Sequence, residues 1–341
     1  MISHLFIVFL IAYFLGMNMG GSGIGPSFSA AFGVDIIRKS VIFGLFGIMV
    51  LFVALIAGNQ TAYTLGRDLI NPKLLNSMSC SIILFSIAIS LFIANLTGIP
   101  QSTSQSTVFA IIAPALYFES ANLKNLFSVI IPTWFILPVI AFVLCLLIGK
   151  FIYLPIRKTG ITISKKFNNN KWLRFIIICC CCYVAFSIGA NNVANASGPL
   201  LTMISNELGV NDENKLLLLL MMIVFIIAPS FGLGASIFGN KVIQNTGKEI
   251  VLFGKIEAAI IAFITASLLL CASLAKGIPT SLVQLNVAAI LGIGVAKLGF
   301  KNIFKKIEVK NFFFMWVIAP FISFTLSLLL TILFDKMNWL G

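Results

Sequence analysis

The stretch Gly98-Ile-Pro-Gln-Ser-Thr-Ser-Gln-Ser-Thr-Val-Phe-Ala-Ile111 returns, 179 residues later, as Gly277-Ile-Pro-Thr-Ser-Leu-Val-Gln-Leu-Asn-Val-Ala-Ala-Ile290. Eight of the fourteen positions are identical, among them both Gly-Ile-Pro triplets, Ser102 with Ser281 and Gln105 with Gln284. Three further pairs keep the same order along the chain. Gly16-Met-Asn18 with Gly25-Pro26 matches Gly189-Ala-Asn191 with Gly198-Pro199. Gly58-Asn59 with Gly66-Arg-Asp68 matches Gly239-Asn240 with Gly247-Lys-Glu249, and Trp134, Ile136 and Pro138 match Trp316, Ile318 and Pro320. Shared apolar composition produces isolated matches, but not an ordered series of Gly, Asn, Pro, Gln and Trp. The chain is an internal duplication.

Both copies are written for a membrane. Of 341 residues, 60% are hydrophobic and 10% charged, with a mean hydropathy of +1.08. A soluble domain is about 25% charged, and so few charges cannot cover this much apolar surface in water. A soluble enzyme, a disordered protein and a nucleic-acid binder are excluded, although 23 Lys and Arg stand against 10 Asp and Glu. Apolar blocks run over 2–33, 40–58, 74–97, 103–118, 124–154, 173–203, 214–238, 250–275, 280–297 and 308–334. At about 20 residues per span, this is an all-α polytopic membrane protein of about 10–12 transmembrane helices. The first block lacks a basic n-region and a small-residue cleavage site and reads as a retained span. The short block 103–118 follows the Gly98-Ile-Pro100 break, which suggests one arm of a re-entrant hairpin.

The basic excess is a topology label. With ten crossings and the N-terminus outside, Arg38 and Lys39, the acid-free stretch 150–174 and the lysine-rich stretch 297–310 all fall inside. The acidic stretch 204–215 falls outside. Both basic loops are therefore expected to be cytoplasmic, in a multi-pass plasma-membrane protein, with contact to anionic lipid a secondary role. The expected organisation is a first repeat over 1–150, a basic linker over 151–173 and a second repeat over 174–341. Four adjacent cysteines, Cys179 to Cys182, point in four directions on a helix and cannot ligate one metal. No metal site and no cofactor are expected, and a homodimer is left open.

Five blocks per copy is an odd number, so the copies sit in opposite orientations. Inverted repeats with interrupted helices are the architecture of secondary transporters, whose site lies near the midplane where broken segments meet. The expected interruptions are paired, at Gly16–Pro26 and Gly189–Pro199 and at the two Gly-Ile-Pro triplets. Around them stand Ser102, Thr103, Ser104, Gln105, Ser106 and Thr107 in one copy and Asn191, Asn192, Asn195 and Ser197 in the other. Ser102 and Ser281 fall at helix starts, where free N–H groups and about half a positive charge attract an anion. Two such starts facing each other suit a compact oxyanion.

At these residues the chain resembles the inorganic phosphate transporter family. Gly189-Ala-Asn-Asn-Val-Ala-Asn-Ala-Ser-Gly198 is similar to the family's signature, and Gly98-Ile-Pro-Gln-Ser-Thr-Ser-Gln105 to its proline–serine/threonine motif. The resemblance spans essentially the whole length. It implies an inverted-repeat symporter binding a tetrahedral oxyanion between the halves. Its anion ligands carry over to Asn195 and Ser22, and its hydroxyl motif to Ser102, Thr103, Ser104 and, in the second copy, Ser281. Asn18, Asn191 and Asn192 complete the candidate set.

The departures from the family pattern bear on the substrate. Phosphate carriers of the family have Asp where this chain has Met19 and Asn192, and Leu282 and Val283 replace hydroxyl residues. Phosphate at neutral pH carries protons and needs acceptors for them; sulfate offers only acceptor oxygens, and a buried carboxylate beside it repels. The pattern also resembles the family's sulfate-permease branch. Sulfate uptake is therefore the expected function, with a phosphate symporter or a passive anion channel as alternatives. Bringing a dianion in against 100 mV costs about 4.6 kcal/mol, so a cation is expected to accompany it. The missing aspartates remove the best sodium ligands. This favours a proton, with Glu257, the acid deepest in an expected span, as coupling candidate. Gly20-Gly-Ser-Gly23 mimics a serine-protease pattern, but the only histidine, His4, lies eighteen residues earlier near the other end of that span. No enzyme is expected.

Overall fold

The computed structural model describes residues 2–32, 38–98, 101–155, 171–248 and 255–340. Most of the basic linker, Ile99 and Pro100 of the first break, and Glu249 lie outside them. All regular structure among the described residues is helical. Apart from short helical turns, its first half comprises, in chain order, α1 (Ile2–Phe32), α2 (Lys39–Ala57), α3 (Asn59–Tyr63), α4 (Ser77–Thr97), α5 (Thr103–Tyr117) and α6 (Ile131–Ile148). The second half holds α7 (Lys171–Asn191), α8 (Ala194–Leu208), α9 (Glu213–Lys248), α10 (Lys255–Lys276), α11 (Leu282–Leu298), α12 (Phe300–Phe304) and α13 (Ile307–Lys336).

Eight segments among the described residues are long and apolar enough to cross a membrane. The two helices that follow the Gly-Ile-Pro triplets are not. α5 has 15 residues and α11 has 17, which at 1.5 Å per residue falls short of a bilayer core of about 30 Å. Each instead returns along the helix before it. Lys297 near the end of α11 meets Glu257 near the start of α10 at 2.7 Å, so these two helices run antiparallel from a shared base to a tip at 277–281. The ten apolar blocks are thus eight spanning-length segments and two returning arms. A hairpin begins and ends on one side, so the side expected for every loop is unchanged.

Packing is reciprocal between the halves. Within them, α1 lies along α4 and α7 along α10. Between them, α1 pairs with α9 and α7 with α2, while α5 packs on α13 and α11 on α6. Every exchange has its mate, which is compatible with an inverted repeat. Outward faces remain apolar, with Phe135 70% and Val317 71% exposed, as hydrocarbon solvent allows.

One expected interruption is absent. α1 runs unbroken through Gly16–Pro26, whereas its counterpart turns at Asn192 and Val193 between α7 and α8. The first copy's glycines serve helix contact instead: Gly20 abuts the Phe231 carbonyl of α9, and Gly234 of α9 abuts the Met17 carbonyl of α1. Small residues let backbones approach where lipid gives no hydrophobic drive. Pro26 is accommodated in the helix because it costs a single backbone hydrogen bond there.

Gly234→Val should therefore force α1 and α9 apart and lower stability by at least about 1–3 kcal/mol. Gly44, whose added Cβ meets nothing within 4 Å, is the control. Gly44→Ala should leave the melting temperature in detergent unchanged or slightly raised.

Candidate functional site

The two hairpin tips are built alike. α4 ends at Gly98 (φ 73°) and α10 is followed by Gly277 (φ 59°), both in the left-handed region that glycine enters without strain. A Cβ on Gly277 would also lie 2.7 Å from the Gln60 carbonyl oxygen. After each tip a serine caps the returning helix. Ser102 Oγ accepts the Gln105 N–H and Ser281 Oγ accepts the Gln284 N–H, both at 3.2 Å. These caps leave each serine its own hydroxyl proton to donate. The first backbone N–H groups of α5 and α11 have no acceptor within their helices.

The tips meet. Gln105 and Gln284, repeat equivalents, each donate Nε2–H to the other's Oε1, at 3.2 and 2.9 Å. A reciprocal pair of repeat equivalents is compatible with a twofold relation between the copies. Trp134 of α6 reaches across and donates Nε1–H to the Pro279 carbonyl at 2.8 Å.

Asn191 holds the second tip. In the orientation that matches donors with acceptors, its Nδ2 donates to the Thr280 carbonyl (3.0 Å) and its Oδ1 accepts the Thr280 N–H (3.2 Å). The same amide bridges Ser104 Oγ of α5, Asn192 Oδ1 and Ser273 Oγ of α10, at 2.8 to 3.2 Å. One asparagine thereby joins Ser104 from the first half to Asn192 and the Thr280 backbone from the second. Thr103, which opens α5, is buried beside this node in sequence, as are Ser102 and Ser281.

The first-copy candidates sit differently. Asn18 is clasped within its own half, where Asn95 of α4 donates to its carbonyl oxygen (2.9 Å) and its Oδ1 (3.1 Å). Ser22 turns its hydroxyl back to the Met19 carbonyl at 3.1 Å. Val283 occupies the repeat position of Ser104, so no hydroxyl stands there to receive Asn18. Asn195 differs from all of these. It is fully buried, and neither its Nδ2 nor its Oδ1 has a hydrogen-bond partner. Buried hydroxyls of Thr202 on the same helix and of Thr61 and Ser106 on α3 and α5 are likewise unpartnered. Such atoms cost about 1–3 kcal/mol each when left unpartnered.

Glu257 is far from this assembly. It lies in the first turn of α10, about 30 Å of helix from Gly277, with both carboxylate oxygens 2.7 to 2.8 Å from Lys297 Nζ. It is the one fully buried acid among the described residues. The residues that sequence reasoning left out of the site are Gln284, Thr280, Ser273 and Trp134, and Gln105, named among the polar residues around the first break, was not paired with its partner. The signal was present for the glutamines, which recur three places after each cap.

These features define a class: a polytopic carrier with two opposed hairpin tips that present neutral donors to an internal polar site. The chain belongs to the phosphate transporter family, whose model matches residues 19–327. It is 33% identical over 332 residues to the sulfate permease CysP of Bacillus subtilis (strain 168), covering 97% of this chain and 88% of that one. It is 27% identical over 330 residues to the putative phosphate permease MJ0630 of Methanocaldococcus jannaschii, covering 96% and 95%. A solved structure titled "The sodium-dependent phosphate transporter" superposes with a TM-score of 0.80 at 22% identity, over 98% of this chain and 100% of that one. That likeness shows the fold.

The glutamine pair gives a direct test. Gln105→Leu alone leaves Gln284 buried and unmatched and should cost about 1–3 kcal/mol. The double change to leucine should recover most of this loss in detergent melts.

Proposed function

We propose that this member of an inorganic-anion transporter family takes up sulfate by symport with a proton, binding the anion between the hairpin tips and the Asn191–Asn195 turn. The observation that carries the reading is the charge of the site. Among the described residues no acid is fully buried except Glu257, and that carboxylate is bound to Lys297 at the far end of its hairpin. Positions 19 and 192 are Met and Asn. Sulfate, all acceptor, suits the serine hydroxyls, the free N–H groups of α5 and α11 and the Asn195 amide. A phosphate proton would find no carboxylate to receive it. The 33% identity to a protein named a sulfate permease supports the same choice.

Asn18, Ser22, Ser102, Thr103, Ser104, Asn191, Asn192, Asn195 and Ser281 form the proposed substrate set. Asn195 and the capping serines touch the anion, while Asn191 holds the surrounding backbone and Asn18 stands at its repeat position in the first copy. Glu257 is the proposed proton carrier, since a buried acid in a membrane helix is a functional candidate. The basic segments 150–174 and 297–310 face the cytoplasm in this reading.

Proteoliposomes given labelled sulfate on the outside separate the alternatives. An inward proton gradient should drive accumulation above electrochemical equilibrium, which a passive channel cannot do. Excess molybdate or thiosulfate should compete and excess phosphate should not. Entry of phosphate without entry or competition by sulfate sinks the substrate assignment. Asn192→Asp should depress sulfate uptake on the order of tenfold or more by placing a like charge beside the anion. Glu257→Gln should abolish pH-driven uptake while sulfate binding persists; unchanged proton dependence removes Glu257 from the cycle.

A further inference from the structure

A cleft of about 420 Å³ runs along α11 between α6 and α13, outside the polar site. Its floor is the Gln105–Gln284 pair, and its walls include Trp134, Phe142, Leu291 and Trp316. One wall is a continuous run of rings. Phe300 stacks on Phe304 at 4.3 Å, Phe304 lies 6.5 Å from Phe313, and Phe313 meets Trp316 edge-on at 4.9 Å. The cleft thus extends from the end of α11, at a membrane surface, inward to the paired tips. That path is about the depth of one leaflet. Its mouth is flanked by Phe135 and Val317, the outward residues of two spanning helices, so hydrocarbon is the medium that reaches it.

The surface end is strongly basic. Lys301 and Lys305 are exposed next in sequence to Phe300 and Phe304, and Lys310 is exposed three residues before Phe313. Glu308 is the single acid in 297–310, and Lys297 is engaged with Glu257. Apolar groove and cationic rim are therefore continuous, in the order chain then headgroup. We propose that the cleft binds an anionic phospholipid, with one acyl chain along the aromatic wall and its phosphate at Lys301, Lys305 and Lys310. A zwitterionic lipid offers the same chain without net charge, so the lysines select the headgroup. The acyl chain would end against the glutamine amides that join the two hairpins, which places a lipid in contact with the elements that present the polar site.

Trp134 and Trp316 report on the cleft once Trp172 and Trp339, both exposed elsewhere, are changed to Phe in the full-length protein. Phosphatidylglycerol with brominated acyl chains should quench the remaining fluorescence at mole fractions on the order of tenfold lower than brominated phosphatidylcholine. Lys301→Gln, Lys305→Gln and Lys310→Gln combined should erase that preference while leaving quenching at high mole fraction. A fourth change, Ala288→Leu, narrows the cleft and should weaken quenching by both lipids. Equal quenching by the two headgroups in the unmutated lysine background overturns the proposal. Quenching that disappears as protein density rises, with cross-links joining two chains through α6 or α13, also overturns it and makes the cleft a subunit interface.

Discussion

The architecture turns on one constraint: backbone polar groups that stop inside a membrane protein must be matched there. Two hairpins bring their tips into the interior, and each tip exposes the unmatched start of a helix. Serine caps, the Thr280 clasp of Asn191 and the Trp134 bond to Pro279 satisfy part of that demand. The glutamine pair ties the two tips together. The rest of the fold follows from keeping lipid away from these groups. α13 covers the first returning arm and α6 the second, so each half shelters the tip of the other. Neither half can be complete alone.

Duplication supplies the frame, and divergence makes the frame one-sided. In the second copy the helix turns at Asn192 and Val193, which frees Asn191 to reach across to Ser104. In the first copy α1 continues, its glycines are used against α9, and Asn18 is held by Asn95. The replacement of hydroxyl residues by Leu282 and Val283 matters less than side chains suggest. At the start of α11 the donors are backbone N–H groups, which any residue except proline provides. The polar node therefore combines Ser104 of the first copy with Asn191, Asn192, Ser273 and the Thr280 main chain of the second.

How much of this could be read from sequence depends on whether the information was local. The hairpin tips were legible, because Gly, Pro and a capping serine at fixed spacing dictate a reversal and a helix start. The first returning arm was legible from its length, while the second, over 280–297, read as an ordinary span. The continuity of α1 was not, since Gly16, Gly20 and Pro26 read equally as a break or as a helix contact, and only α9 decides between them. The glutamine pair was visible as a repeated residue but not as a bond, because its members lie 179 positions apart. The same holds for Glu257. Sequence placed it deep in a span, whereas it lies in the first turn of α10, and its lysine comes from the other arm of the hairpin, 40 residues on. The orphaned amide of Asn195 had no sequence signal at all, since being unpartnered is a property of its neighbours.

The charge of the site has a further consequence for the transport cycle. Each helix start contributes about half a positive charge, so two opposed starts offset roughly one unit of a bound dianion. Neutral hydroxyls and amides orient the ligand but add no net charge. About one negative charge then remains uncompensated in a low-dielectric interior, where an unpaired ion is costly. A lysine or arginine at the tips would cancel it and hold the anion too firmly to release. A cation that arrives with the anion and leaves with it cancels the charge only while it must be carried. On the proposed reading, the sparse acids and the absence of buried basic groups at the tips among the described residues favour a loaded state in which the dianion crosses with a cation, and an empty state in which the site is neutral.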